Sequence, residues 1–249
     1  MHLSLPAIGL LVVAGLAAGI VNGIAGGGSL LTFPALLVAG LPPVSANVTN
    51  SVSVAPGYLS SVYGSRRELR GQKRRILTLV PIAIVGAGAG CVLLLVTPGD
   101  LFEYIVPFLV LSATAVLAFQ DALKRLTRKG KRVTMVTLTF LGSTYGGYFG
   151  AALGVVLVAV LALVLEETLQ RVNALKNVLS ATVGLVTVAV YALFGPVSWL
   201  GVAVTAPATI VGGYLGAKLA KKLSAQALKV TIVVFGTAIG LVLLYQAIW

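Results

Sequence analysis

Acidic residues are scarce in this chain, six against 18 Lys and Arg, and histidine and cysteine each occur once, as His2 and Cys91. One thiol closes no internal disulfide and makes no redox pair. Within "GAGAGCVLLLV", Cys91 reads as a small residue packed between helices. A single terminal imidazole leaves a transition-metal carrier without ligands, so neither a metal site nor a cofactor is expected. No nucleophile–base pair stands out, which argues against an enzyme. Charge is low altogether: 10% of the 249 residues are charged and 58% are hydrophobic. A soluble domain of this size needs far more polar surface.

What the chain does have is a series of apolar runs. They lie near 3–22, 76–96, 101–119, 178–194, 197–217 and 230–248, each long enough to cross ~30 Å of hydrocarbon. The short alternating segments of a β-barrel are lacking. The chain therefore reads as an all-α polytopic membrane protein. The first run has no basic n-region, only Met1 and His2, and reads as a retained membrane segment rather than a signal peptide. The net charge of +12 does not indicate nucleic acid. All 18 basic residues fall in "RRELRGQKRR" (66–75), "KRLTRKGKR" (124–132), Arg171 with Lys176, and Lys218 to Lys229, as expected of cytoplasmic loops. Contact with anionic headgroups of the bilayer is a secondary role for them.

An internal repeat organises the rest. Shifted by 126 residues, "PIAIVGAGAG" (81–90) falls on "PATIVGGYLG" (207–216), Asn47 on Asn173, Asn50 on Lys176 and Gly28 on Gly154. Equivalent loops carry opposite charge signals. The basic loop 66–75 corresponds to the uncharged "ALFGPVSWLG" (192–201), and "TPGDLFE" (97–103) to "LSAQALK" (223–229), which borders a basic cluster. Matching loops then face opposite sides of the membrane, so the repeats are inverted. The expected organisation is a first repeat at 1–120, a basic cytoplasmic linker at 121–132 and a second repeat at 133–249. Each repeat is a broken-helix hairpin followed by three transmembrane helices.

The hairpins follow from the sidedness. Residues 133–165 begin and end inside, and 3–40 begin and end outside, so each must turn back. The second arm, 29–40, spans only ~18 Å of helix at 1.5 Å per residue. "NGIAGGGSLLTFP" (22–34) thus reads as a hairpin tip within the membrane, as does "GSTYGGYFGAALG" (142–154). Trp199 and Trp249 fall at the outer interface on this topology.

Broken backbone inside lipid must be satisfied by protein or a water-filled cavity. Gly26, Gly27, Gly28 and Ser29 would present N–H groups and a positive helix end to an anion, with Ser29 as N-cap or donor. Ser143, Thr144, Tyr145, Gly146 and Gly147 offer the equivalent at the second tip. Close helix packing is the alternative for these glycines, and the favoured reading for 86–90 and 212–216. Asn47, Asn50 and Ser51 on one helix match Asn173, Lys176 and Asn177 on the other, at spacings that share a face. They either line the pathway, or cap helix ends while Lys176 snorkels to the cytoplasm. Glu68, Asp121, Glu166 and Glu167 map to cytoplasmic loops and Asp100 and Glu103 to the outer edge, so no mid-helix carboxylate offers a proton relay.

"GIVNGIAGGGSLLTFPALLVAG" with "SANVTNSVSV", and "YGGYFGAALGVVLVAVL" with "RVNALKNVLS", "FGPVSW" and "GGYLGAKLAKKL", resemble the two halves of the sulfite exporter TauE/SafE family over about residues 10–245. The resemblance implies a bacterial plasma-membrane exporter of sulfite or C2 sulfonates such as sulfoacetate. Small sulfur anions suit a donor-rich, cation-bearing midplane. A passive anion channel and a non-transporting membrane scaffold are the other classes left open, and a homodimer is a further option.

Overall fold

A computed structural model describes residues 4–24, 26–119, 122, 132–151, 153–165, 167–219 and 225–248. Trp249, His2, Asp121, Glu166, Lys221, Lys222 and nearly all of the 121–132 linker lie outside the described residues. The described chain is helical, with no strand among those residues. We number the helices α1 (Leu5–Ile24), α2 (Ser29–Val38), α3 (Pro43–Gly64), α4 (Lys73–Val96), α5 (Gly99–Ala118), α6 (Arg132–Tyr148), α7 (Leu153–Val164), α8 (Leu169–Phe194), α9 (Trp199–Leu219) and α10 (Ala225–Ile248). Four of them, α1, α4, α8 and α9, are long and apolar enough to cross a membrane. Their outer faces carry exposed residues such as Val13, Val85, Leu185 and Val211, the pattern of a bundle whose solvent is lipid.

Local chemistry sets the short helices. Helix α2 starts at the glycine break and ends after ten residues. Gly40, at φ +92°, closes it, and Gly40 N–H bonds to the Leu37 carbonyl while Leu41 N–H bonds to that of Leu36. This paired termination satisfies the last carbonyls. Proline at the first position of α3, Pro43, supplies a fixed φ where no N–H is needed. The polar run along α3 is tolerated because α1, α2, α5, α8 and α9 surround it. Asn47, Thr49, Asn50, Ser51 and Ser53 are all buried.

Contacts between helices exchange when the two halves are exchanged. Helix α1 packs on α9 as α6 packs on α4; α3 packs on α9 as α8 packs on α4. The pairs α1–α2 and α2–α3 have counterparts in α6–α7 and α7–α8, and α3–α8 and α5–α10 pair across the middle. Helices α3, α4 and α5 start at Pro43, Lys73 and Gly99; α8, α9 and α10 start 126 positions later, at Leu169, Trp199 and Ala225. Helix α3 and its counterpart α8 run antiparallel. At one end Ser45 Oγ donates to the Pro196 carbonyl and Ser198 N–H to Thr49 Oγ1. At the other, Gln72 Nε2 donates to the Arg171 carbonyl.

Gly86, Gly90, Gly212, Gly213 and Gly216 do what close packing requires. A Cβ on Gly86 would lie 2.7 Å from the Phe140 carbonyl oxygen, and one on Gly19 of α1 would lie 2.6 Å from that of Thr209. Small residues let these backbones approach, which substitutes for a hydrophobic driving force absent between lipid-bathed helices. Cys91 is fully buried in the bundle, in keeping with a packing role.

Candidate functional site

The break after α1 is a built turn rather than a frayed one. Gly26 and Gly27 adopt φ +87° and +91°, a region side chains rarely enter, and this swings the chain back into α2. Asn22, in the last turn of α1, accepts the Gly28 N–H on its Oδ1 at 2.8 Å. Gly28, not Ser29, is the N-cap; Ser29 is the first helical residue, and its Oγ lies 3.4 Å from the Tyr58 hydroxyl. One of the N–H groups expected to face an anion is therefore held by Asn22.

The second tip lies later than the glycine cluster suggests. Helix α6 continues to Tyr148, and α7 begins at Leu153. Tyr145 reaches the link between them, donating its hydroxyl to the Ala151 carbonyl at 2.8 Å. Gly146 lies against the Leu153 side chain at the start of α7. Ser143, Thr144 and Gly147 lie within α6 on the face that meets α4: a Cβ on Gly86 would be 3.0 Å from Ser143 Cβ, and one on Gly147 would strike the Ala87 backbone. Thr144 Oγ1 is spent on the Phe140 carbonyl of its own helix.

The tips touch, and side chains from the opposite half tie each one down. A Cβ on Gly26 would sit 2.5 Å from the carbonyl carbon of Gly154. Asn173 of α8 donates to the Gly23 carbonyl at 3.0 Å, while Asn47 of α3 donates to the Tyr148 carbonyl at 2.9 Å. Each asparagine thus satisfies a carbonyl left open where a helix breaks in the other half. Neither Asn47 nor Ser45 caps its own helix, since Pro42 is the N-cap of α3.

Lys176 does not snorkel. It is fully buried, and its Nζ donates to the Asn22 carbonyl at 2.6 Å. A cation at the C-terminal end of a helix meets the negative end of its dipole. An ammonium carries three donors, and this is the one hydrogen bond it makes among the described residues. No carboxylate pairs with it among those residues. Asn50 accepts the Thr32 hydroxyl and leaves its Nδ2 unpartnered; Ser51 Oγ is also buried and unpartnered. Asn177 stands apart, holding Ser65 Oγ at 3.1 Å near the end of α3. Beside the second tip, Ser51, Tyr58, Gly146, Gly150 and Thr187 border a cavity of about 10 Å³, roughly the room for one water. Asn22, Tyr58 and Thr187 were not singled out by sequence. Asn22 sits in an apolar helix, and the partner of Tyr58 is 29 residues away.

Beyond the tips, Glu167 bridges Arg75 and Arg171, each at 2.7 Å. The Arg75 hydrogen bond, aided by Arg171, holds the Glu167 carboxyl below the ordinary carboxylate range against a smaller opposing effect of burial. Because the folded value is lowered, the stabilisation is present at neutral pH and fades as pH falls from the ordinary value near 4.5 through the folded one. Glu167→Gln is accordingly expected to lower the melting temperature at pH 7 and to converge with the wild type in acid. A difference that ignores pH would assign the loss to packing.

A model of the sulfite exporter TauE/SafE family matches residues 11–243. A probable membrane transporter protein of Haemophilus influenzae is 27% identical over all of this chain and 99% of its own length. The probable membrane transporter protein YfcA of Escherichia coli is 27% identical over 96% of this chain and 90% of its own. A probable membrane transporter protein, ORF9, of a Sinorhizobium species is 25% identical over 95% and 92%. No solved structure matches the chain.

Proposed function

Because the chain belongs to the sulfite exporter TauE/SafE family and is a multi-pass membrane transporter, we propose that it exports small sulfur-containing anions, sulfite or a C2 sulfonate, across the bacterial plasma membrane. The observation that carries this reading is Lys176: a fully buried lysine whose partner is a carbonyl, beside two broken helices. A buried charge is retained where it has a function or a counterion, and here the counterion is the cargo. Ser29, Asn50, Ser51 and Tyr58 add hydroxyl and amide groups suited to a pyramidal or tetrahedral oxyanion.

Alternating access is the mechanism we assign. The tips are in close contact at Gly26 and Gly154, and the cavity beside the second tip is too small for sulfite, so the anion enters only when one tip parts from the other. The antiparallel run of α3 and α8 and the exchange of contacts between halves support inverted repeats, whose related motions would open opposite sides in turn. Under this topology loop 66–75 and the Glu167 bridge are cytoplasmic. The test is radiolabelled efflux from proteoliposomes, screening sulfite, sulfate and C2 sulfonates. Saturable flux accelerated by unlabelled anion on the far side is the expected outcome. Conductance rising linearly with concentration would replace the carrier with a channel, and no flux of any anion would leave a scaffold.

A further inference from the structure

Away from the tips, α3 and α9 end side by side. A Cβ on Gly64 would stand 2.7 Å from Ala217 Cβ, so the two ends nearly touch. The rings of Tyr63 and Tyr214 stack there, centroids 6.1 Å apart at 28°. The Arg66 guanidinium lies 4.4 Å from the centre of the Tyr63 ring, and Lys218 Nζ lies 4.4 Å from that of Tyr214. These four residues, with Arg67 and Glu68, line a cleft of about 410 Å³. Three cations against one carboxylate leave it two positive charges in surplus.

A ring face holds a cation in place without neutralising it. Arg66 and Lys218 are therefore oriented by the tyrosines while their charge and N–H donors stay available. Two like charges confined to one cleft repel each other, and an anion with several oxygens relieves that repulsion. A phosphate group fits this chemistry, because a guanidinium can take two of its oxygens and an ammonium a third. Tyr63 is 58% exposed at the end of a bundle helix, the level where tyrosine meets headgroups.

We propose that this cleft is a phosphate-group site, separate from the transport site, and that its ligand carries net negative charge. An anionic glycerophospholipid of the adjacent leaflet or a soluble phosphate can supply the group. The test uses the purified full chain in detergent, reading bound lipid by native mass spectrometry and melting temperature by thermal unfolding. The probes are phosphatidylglycerol, phosphatidylcholine, glycerol 3-phosphate and inorganic phosphate. Wild type is expected to retain phosphatidylglycerol and be stabilised by it, with phosphatidylcholine much weaker. The pair Arg66→Gln with Lys218→Gln is expected to bind it about tenfold or more weakly. The charge-matched pair Arg70→Gln with Lys73→Gln keeps wild-type binding. Should the cleft pair fold poorly, Lys218→Gln alone gives the same direction. Displacement of the lipid by millimolar glycerol 3-phosphate or phosphate identifies a soluble ligand, and its failure identifies the lipid; both keep the site. Phosphatidylglycerol held equally by the cleft variant, equal retention of phosphatidylcholine, or stabilisation by none of the probes would overturn it.

Discussion

Lys176→Met is expected to cut anion efflux by about a hundredfold, the scale of a lost charge-assisted hydrogen bond. Methionine is unbranched, close in volume and one atom shorter, so the packing around it changes little. What disappears is the ammonium beside Asn22, and with it the positive charge that an anion between the tips would meet. Lys176→Arg is expected to restore only part of the flux. Its planar fork needs more width than the slot allows, where Lys176 Cδ already lies 3.3 Å from where a Gly154 Cβ would stand. Initial rates in proteoliposomes at matched protein content decide the matter. A purely structural lysine would lower the melting temperature while leaving flux per folded molecule unchanged.

Gly26→Val is the second large effect. Its backbone sits at φ +87°, where a β-branched residue costs about 1–3 kcal/mol. Its Cβ would also press on the Gly154 backbone, adding overpacking of about 1–3 kcal/mol. Both penalties fall on the contact between tips, so folded yield and transport are expected to drop together. Gly88→Val is the matched control, because a Cβ there meets nothing within 4 Å. Expression with size-exclusion profiles, followed by flux, measures both. Equal loss in the two variants would mean that general helix disruption, not the tip contact, is responsible.

Particular residues show why part of this site was readable in sequence and part was not. The positive-φ turn announced itself, since three consecutive glycines break an apolar run that otherwise has every reason to stay helical. The 126-residue offset lays Gly28 on Gly154, the residue whose backbone lies against Gly26. Composition pointed elsewhere, to the hydroxyls of Ser143 and Thr144, and these lie more than a turn earlier, facing α4. Glycine in a membrane helix marks packing as often as breakage, and only the partner helix tells the two apart. The grouping of Asn47 with Asn50 on α3, and of Asn173 with Lys176 on α8, was legible from helical spacing. Its use was not, because Asn47, Asn173 and Lys176 each reach a carbonyl about 100 to 150 residues away that exists as an acceptor only where another helix stops. Asn22 was hidden for a related reason: its bond to Gly28 spans six residues and needs the left-handed turn to exist first.

The anion site proposed between the tips is tested most directly by equilibrium binding of radiolabelled sulfite to the purified protein, without any flux. Saturable binding by the wild type, and none by folded Lys176→Met over the same concentrations, is the expected result. Undiminished binding by that variant would contradict an anion site built on Lys176 where the two broken helices meet.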